Sequence, residues 1–326
     1  MGEDGTTRNS HVIEVGGEGP LLVIHGGAGK RLHEMTPAQK AETDAALSRA
    51  LEAGYALLEQ GAPAIDAVVA AVHVMEDAPC FNAGRGAALT LDGRAEMDSC
   101  VMLGDGSTGA ASGLTTAKHP VDVARAVMER TPHVLFSAPS AQRLEEWGIE
   151  REDPAYFVTE RRQAQLAEFK ELQAAGKKDS VSADLARAAA DARHGTVGAV
   201  ARDAAGRIAA ATSTGGITGQ EPGRVGDSPL CGAGTYAKQE TVAVSCTGTG
   251  EKFIQEVAAH QVSSRMEYGA QALPDAAAVM LDAVDARGGS GGVIAVPAAG
   301  AGAIGFTDGA QMNYGWAWGT ERVTHE

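Results

Sequence analysis

Aromatic side chains are scarce, at 4% of the 326 residues, although 44% of the chain is hydrophobic. With 42 glycines and abundant alanine, this composition implies close backbone approaches and small-residue packing. Basic residues are also few: 27 Lys and Arg stand against 42 Asp and Glu, a formal charge of −15, which excludes a nonspecific grip on nucleic acid or an anionic membrane. Only four cysteines occur, Cys80, Cys100, Cys231 and Cys246, with no CxxC pair. The expectation is therefore reduced core thiols, not a disulfide framework or a zinc site. Long apolar runs are missing too. Met1 to Ser10 is polar, and no apolar segment of the kind a signal peptide or membrane span needs follows it, so a soluble, cytoplasmic protein is expected. The glycines and 12 prolines are too scattered to indicate disorder. The length permits one large α/β unit or two smaller domains, with a sizeable core either way.

Leu21 to Ile24 reads as a buried strand entering a glycine-rich turn, His25-Gly26-Gly27-Ala28-Gly29. Thr36, Pro37 and Gln39 form a helix start with a capping-box glutamine. Helical spacing of apolar residues continues to about Leu58 and again from Ala64 to about Met75. Strands are expected around Ala88 to Thr90 and Ala95 to Leu103, and helices near Pro120 to Glu129 and Ser137 to Trp147. From about 150 to 195 the chain is rich in charge and alanine and reads as an exposed linker. Thr196 to Ala201 and Ile208 to Thr212, joined by Asp203-Ala204-Ala205-Gly206, form a hairpin. A strand from Thr241 to Cys246, a glycine turn, helices near Lys252 to Met266 and Pro274 to Asp285, and a strand from Val293 to Val296 complete the pattern. Strands and helices come in runs, which favours a layered α+β fold over a wound parallel sheet.

Three glycine motifs carry little. The turn ending in Gly29-Lys30 lacks the first glycine and the Ser or Thr of a phosphate-binding P-loop. Gly104, Gly106 and Gly109 match GxGxxG, but Ala110 to Thr116 does not open a helix as dinucleotide binding requires. Gly288 to Gly292 matches GxSxG yet lies between a helix and a strand, where a nucleophile elbow needs strand, turn and then helix. His25 and His194, beside glycines, read as structural.

The informative segment is His194-Gly195-Thr196-Val197-Gly198. Taken alone, Gly195 is a turn and Thr196 a β-branched strand residue. A threonine hydroxyl is a poor nucleophile without a base, and one solution uses the residue's own α-amine, which titrates at about pH 7.7–8.0. An internal threonine must first be freed by peptide cleavage, and a preceding glycine supplies the permissive backbone.

The runs Gly195 to Val200, Thr212-Ser213-Thr214-Gly215-Gly216, Gly223-Arg224-Val225-Gly226-Asp227-Ser228-Pro229 and Cys246-Thr247-Gly248-Thr249-Gly250-Glu251 resemble, in order and spacing, the motifs of plant-type asparaginases and isoaspartyl peptidases. His25 to Gly29 and Phe81-Asn82-Ala83-Gly84-Arg85-Gly86 resemble the same N-terminal-nucleophile hydrolases, so the similarity covers about Leu21 to Gly292. It implies a four-layer αββα sandwich, two antiparallel sheets flanked by helices. Autocleavage between Gly195 and Thr196 would yield an α subunit, 1–195, and a β subunit, 196–326, which remain one structural domain. Two αβ units would then assemble into a dimer.

By position, the resemblance makes Thr196 the nucleophile with its amine as base, and Thr214 the residue orienting it. Arg224 and Asp227 would hold the α-carboxylate and α-ammonium of a small-molecule or dipeptide substrate. Asn82 joins the substrate-binding set, and Gly250 lets the substrate approach the backbone. Thr247 and the Gly248 N–H would form the oxyanion hole, with a following helix contributing its positive end. No cofactor is implied for catalysis, but Met75, Glu76, Ala78, Phe81, Ala83 and Arg85 resemble the family's loop binding a structural sodium ion through main-chain carbonyls. Aspartylglucosaminidases carry an aspartate at Gly195 and an asparagine at Gly215, so both positions favour the asparaginase branch over a glycosylasparaginase. The intact nucleophile, clamp and oxyanion motifs oppose a non-catalytic scaffold. Phe306-Thr307-Asp308-Gly309-Ala310-Gln311-Met312 departs from the family pattern.

Overall fold

A computed structural model describes residues 10–29, 35–174 and 195–325. Among these, two sheets stack face to face. The smaller runs in the order β1 (His11–Val15), β11 (Gly302–Phe306), β10 (Gly291–Pro297), β9 (Val242–Gly248) and β8 (Thr235–Ala237). The larger runs β13 (Glu321–His325), β12 (Gln311–Trp318), β2 (Leu21–Gly29), β6 (Val197–Arg202), β7 (Ile208–Thr214), β3 (Met97–Leu103), β4 (Thr108–Leu114) and β5 (Leu135–Ser137). Helices α1 (Pro37–Glu59) and α2 (Ala64–Asp77) cover the larger sheet, with α3 (Pro120–Arg130) against β3 and β4. Further along are α4 (Ala141–Glu146), α5 (Pro154–Phe157) and α6 (Glu160–Ala174). On the smaller sheet's side lie α7 (Gly250–Glu256), α8 (Ala258–Gly269) and α9 (Leu273–Ala286). This is the expected αββα sandwich, with one departure from antiparallel pairing: β4 and β5 run parallel.

The strand period of two sorts side chains between layers. On β2, Leu22 and Ile24 pack with Leu47, Leu51, Val68 and Val72 of α1 and α2. Their neighbours Leu21 and Val23 point the other way and meet Ile294, Val296 and Ile304 of the smaller sheet. Both faces are covered, which is why these strands read as continuous apolar runs. Each buried Leu or Val contributes about 1.5–3 kcal/mol relative to exposure. A separate core joins Val262 of α8 and Met280 and Leu281 of α9 to Val244 and Val293.

The expected start of α1 is present: the Gln39 amide donates to the Thr36 hydroxyl at 3.3 Å and the Thr36 amide to Gln39 Oε1 at 2.9 Å. Several expectations need correction. His25 to Gly29 is not a turn but the last part of β2, where glycine serves close approach. A Cβ on Gly26 would lie 2.4 Å from the Phe81 ring, and one on Gly27 2.5 Å from Gly195 Cα. Ala88 to Thr90 contributes one isolated bridge, Leu89 to Ala95, instead of a strand. The helix expected from Lys252 to Met266 is broken at Val257, which sits in the left-handed region at φ 49°. The 150–195 linker is helical in its first part: Asp153 caps α5, and Phe157, Arg162, Leu166 and Phe169 are buried. Residues 175–194 of that segment lie outside the described residues. All four cysteines are free, and Cys80, Cys100 and Cys246 are buried as expected, but Cys231 is exposed. Gly104 to Gly109 forms the β3–β4 hairpin, and Gly288, Gly289 and Ser290 link α9 to β10, so neither motif has a phosphate-binding or nucleophile-elbow setting.

Candidate active site

The ends of β2, β6, β7 and β9 meet at one edge of the sandwich, which brings residues from both sheets together. Thr196 stands just before β6 and is buried at 8% exposure. Because β6 pairs with β7 through Val197 and Ser213, the next residue outward, Thr214, is its neighbour. The Thr196 hydroxyl donates to Thr214 Oγ1 at 3.1 Å, and Thr214 Oγ1 also accepts the Gly216 amide at 3.1 Å.

Thr247 enters from β9 of the opposite sheet and is fully buried. Its Oγ1 accepts the Ala28 N–H at 3.3 Å. A hydroxyl that is already an acceptor on one side keeps its proton for another partner. That partner region is the Gly195–Thr196 junction, since a Cβ on Gly195 would lie 2.6 Å from Thr247 Oγ1 and 2.8 Å from Gly27 Cα. Gly248 has φ 148°, and a Cβ there would lie 2.3 Å from the Ser290 carbonyl, so only glycine turns the end of β9 in this space.

Arg224 and Asp227 lie in the loop between β7 and β8 and converge on the first residue of α7. A Cβ on Gly250 would lie 2.8 Å from Asp227 Oδ1 and 3.1 Å from Arg224 Nη2. Arg224 is paired with Glu251, Nε at 2.9 Å and Nη2 at 2.8 Å from the same oxygen, and its Nη1 reaches Gln220 Oε1 at 3.3 Å. Asp227 is buried, and its Oδ2 has no hydrogen-bond partner among the described residues. Burial pushes its carboxyl up to about 7, with the backbone at Asp227 and the charge of Arg224 pulling the other way.

Sequence reasoning missed Asp98, the first polar residue of β3. Its Oδ1 accepts the Gly113 N–H at 3.1 Å and its Oδ2 the Gly226 N–H at 3.3 Å, so it holds the Arg224 to Asp227 turn from below. Burial pushes it up to about 6 against those two amides and Arg224. A carboxyl in a largely apolar strand was the available signal. Glu251 and Gln220, which pack on the Arg224 guanidinium, were missed as well.

His25 is structural, as expected. Its Nε2 meets Ser245 Oγ at 3.0 Å, and Ser245 continues to Thr212 at 2.8 Å. Burial lowers its pKa to about 3, opposed by the backbone of Thr196, so the ring is neutral. His194 lies outside the described residues. Asn82 is engaged by the backbone: Nδ2 donates to the Gly216 carbonyl at 2.7 Å and Oδ1 accepts the Ala88 N–H at 2.7 Å. It thus ties the 78–86 loop to the residues just after Thr214.

That loop is knit through carbonyls. Met75 O accepts the Ala78 N–H at 3.3 Å, Glu76 O the Arg85 N–H at 2.7 Å, and Ala78 O the Phe81 N–H at 3.1 Å. Phe81 O accepts Nη2 of the buried Arg162 at 3.0 Å. Gly84 closes the loop at φ 49°, where a Cβ would lie 2.3 Å from Glu76 O. The Glu76 carboxyl is fully buried and raised well above the usual range, chiefly by desolvation. A carbonyl oxygen has two lone pairs, so each keeps one free for a hard cation, and the all-oxygen donor set fits such an ion.

Residues 18–324 match the family model described as asparaginase. The chain belongs to the asparaginase family. It is 45% identical over 309 residues to an isoaspartyl peptidase of Salmonella typhimurium, covering 92% of this chain and 96% of that protein. It is 44% identical to the isoaspartyl peptidase of Escherichia coli, with 92% and 94% covered. The human isoaspartyl peptidase/L-asparaginase is 39% identical over 280 residues, with 85% and 86% covered. The expected family resemblance and the sandwich fold are both borne out. No helix among the described residues is long and apolar enough to cross a membrane.

Proposed function

We propose that this chain is an amidohydrolase that cleaves its own Gly195–Thr196 bond and then hydrolyses L-asparagine and β-aspartyl dipeptides with Thr196. The observation that carries the reading is the buried Asp227 carboxylate with an unpartnered oxygen, set beside Arg224 and the side-chain-free Gly250. A buried carboxylate lacking donors is costly unless a ligand supplies them, and an α-ammonium does so. Arg224 is the matching cation for the α-carboxylate, released for it from the half-exposed Glu251.

In processing, the Thr196 hydroxyl attacks the Gly195 carbonyl, its proton passes to the departing Thr196 nitrogen, and the acyl group moves from nitrogen to oxygen. That shift breaks the Gly195–Thr196 amide bond and frees the Thr196 amine, and water then hydrolyses the ester to give the Gly195 carboxylate and the free Thr196 hydroxyl. In turnover, the amine takes the Thr196 hydroxyl proton as the oxygen attacks the substrate side-chain carbonyl. The Thr247 hydroxyl, oriented by the Ala28 amide, and the Gly248 N–H stabilise the oxyanion. Ammonia or an amino acid leaves with the proton, and water releases aspartate from the threonyl ester. Thr214 holds the nucleophile throughout.

A glycosylasparaginase is opposed by packing: a Cβ at Gly215 would lie 2.5 Å from Ala87 Cβ and 2.6 Å from the Ala88 nitrogen, leaving no room for asparagine. We further propose that the carbonyls of Met75, Glu76, Ala78, Phe81, Ala83 and Arg85 hold a structural sodium ion, sharing the Phe81 oxygen with Arg162. Melting in sodium chloride should exceed that in choline chloride if so. Cytoplasmic residence is supported by the four free cysteines, and assembly of two αβ units is to be read by light scattering.

Intact-mass analysis during prolonged incubation tests the central reading. Two fragments, the second starting at Thr196, are expected together with release of aspartate from a β-aspartyl dipeptide. Hydrolysis by an uncut chain would overturn the mechanism.

A further inference from the structure

Away from the Thr196 edge, the C-terminal end of α2 and the N-terminal end of α3 bring together two imidazoles and two carboxylates. His73 Nε2 lies 2.7 Å from Asp122 Oδ1. His119 Nδ1 lies 3.9 Å from the other oxygen of Asp122, and its Nε2 lies 3.0 Å from Asp77 Oδ1. The two rings stack with centroids 4.3 Å apart. A donor atom from each of His73, His119 and Asp122 lies within 4.8 Å of the others.

We infer that His73, His119 and Asp122 form a binding site for a divalent late-transition metal such as zinc, with Asp77 orienting His119. Tetrahedral nitrogen and oxygen ligands at about 2.0–2.2 Å from zinc are about 3.3–3.6 Å apart, so side-chain rotations that move the donor atoms by about an ångström close this set on an ion. Two imidazoles and one carboxylate are a donor set that zinc favours over calcium or magnesium. The Asp77 contact gives the arrangement its direction. It engages one nitrogen of His119 and leaves the other toward Asp122, the carboxylate–histidine–metal pattern that sets the tautomer of a ligating ring.

The site stands on a braced frame. The Val121 amide donates to the buried Glu76 Oε1 at 3.1 Å, locking α2 to α3 between the ligands. His73 and Asp122 are each about one-third exposed, so an ion can enter, and the remaining position takes water. A bound ion would staple α2 to α3 directly before the 78–86 loop. This is separate from the catalytic reading and does not depend on it.

The test uses untagged, chelator-treated full-length protein titrated with zinc by calorimetry and with cobalt by visible absorption. One equivalent of zinc, intense tetrahedral cobalt bands and a melting rise of about 4 °C at a hundredfold excess over Kd are expected. His73→Gln and His119→Gln should each weaken binding at least tenfold, and Asp77→Asn by about 10–100-fold. Their melting in chelator and activity on substrate check that they fold. In the wild type, zinc should protect His73 and His119 from diethylpyrocarbonate, as read by peptide mass. Absence of a stoichiometric site, full binding by the His73→Gln/His119→Gln double variant, or protection confined to other histidines would overturn the proposal.

Discussion

Asp98 stands directly across from Thr214 in the β3–β7 ladder, while its carboxylate holds the amide of Gly226 in the turn that carries Arg224 and Asp227. One strand residue thus links the nucleophile's partner to the substrate clamp. Asp98→Asn keeps the size but replaces one acceptor oxygen by a donor, facing either the Gly113 or the Gly226 amide with a like group. We expect KM to rise about tenfold or more with self-cleavage retained, because the clamp shifts and the Thr196–Thr214 pair does not. Steady-state kinetics beside intact mass reads both; an unchanged KM would remove Asp98 from the positioning role.

Thr214 accepts two hydrogen bonds, from the Thr196 hydroxyl and the Gly216 amide. Thr214→Val deletes the acceptor at nearly constant volume, so kcat should fall about a hundredfold or more with KM little changed. Thr214→Ser should recover most of the loss. Equal kcat in the valine variant and the wild type would show that the contact is incidental.

Gly250→Ala places a methyl group 2.8 Å from Asp227 Oδ1 and 3.1 Å from Arg224 Nη2, where the substrate head group is proposed to lie. Substrate affinity should drop at least about tenfold, a cost of about 1.4 kcal/mol, while processing at Gly195 proceeds. Competition by aspartate measures this without turnover, and undiminished inhibition by aspartate would move the head group elsewhere.

Asp98 and Asp227 are raised by burial to about 6 and about 7, and Glu76 well above the usual carboxylate range. Between their unfolded values of about 4 and these folded values, the native state binds protons that the unfolded chain has released, so stability falls as pH rises through that window. The excess of acidic residues acts in the same direction. Urea midpoints should therefore be higher at pH 5 than at pH 7, and Asp227→Asn should flatten the difference. A protein that is more stable at pH 7 than at pH 5 would contradict the burial of these acids. KM should rise in the opposite sense, as Asp227 gains a proton below about pH 7 and ceases to hold an ammonium.

The layered α+β character was legible because its elements carry local signals, and the αββα sandwich was legible through the family resemblance. Apolar runs from Leu21 and Val197, the capping box at Thr36 and Gln39, and the helical spacing from Ala64 to Met75 each follow from rules reaching only a few residues. The residues of the proposed site were legible through separated motifs that resemble one family. Other features depended on contacts between distant segments. Glycine usually marks turns, so His25 to Gly29 reads as one; it is a strand because Phe81 and Gly195 occupy the space where its side chains would stand. The buried side of Glu160–Ala174 was obscured by charge, since Arg162 is buried by donating to the carbonyls of Gly86 and Phe81, 76 and 81 residues upstream. Local spacing along the chain was enough for the layered arrangement and the strand period, and the separated motifs were enough for the family resemblance. Tertiary structure alone decided that Asp98 braces the clamp, that Asp227 keeps an unpartnered oxygen in the core, and that His73 meets His119, because burial and electrostatics depend on which distant atoms share a small volume.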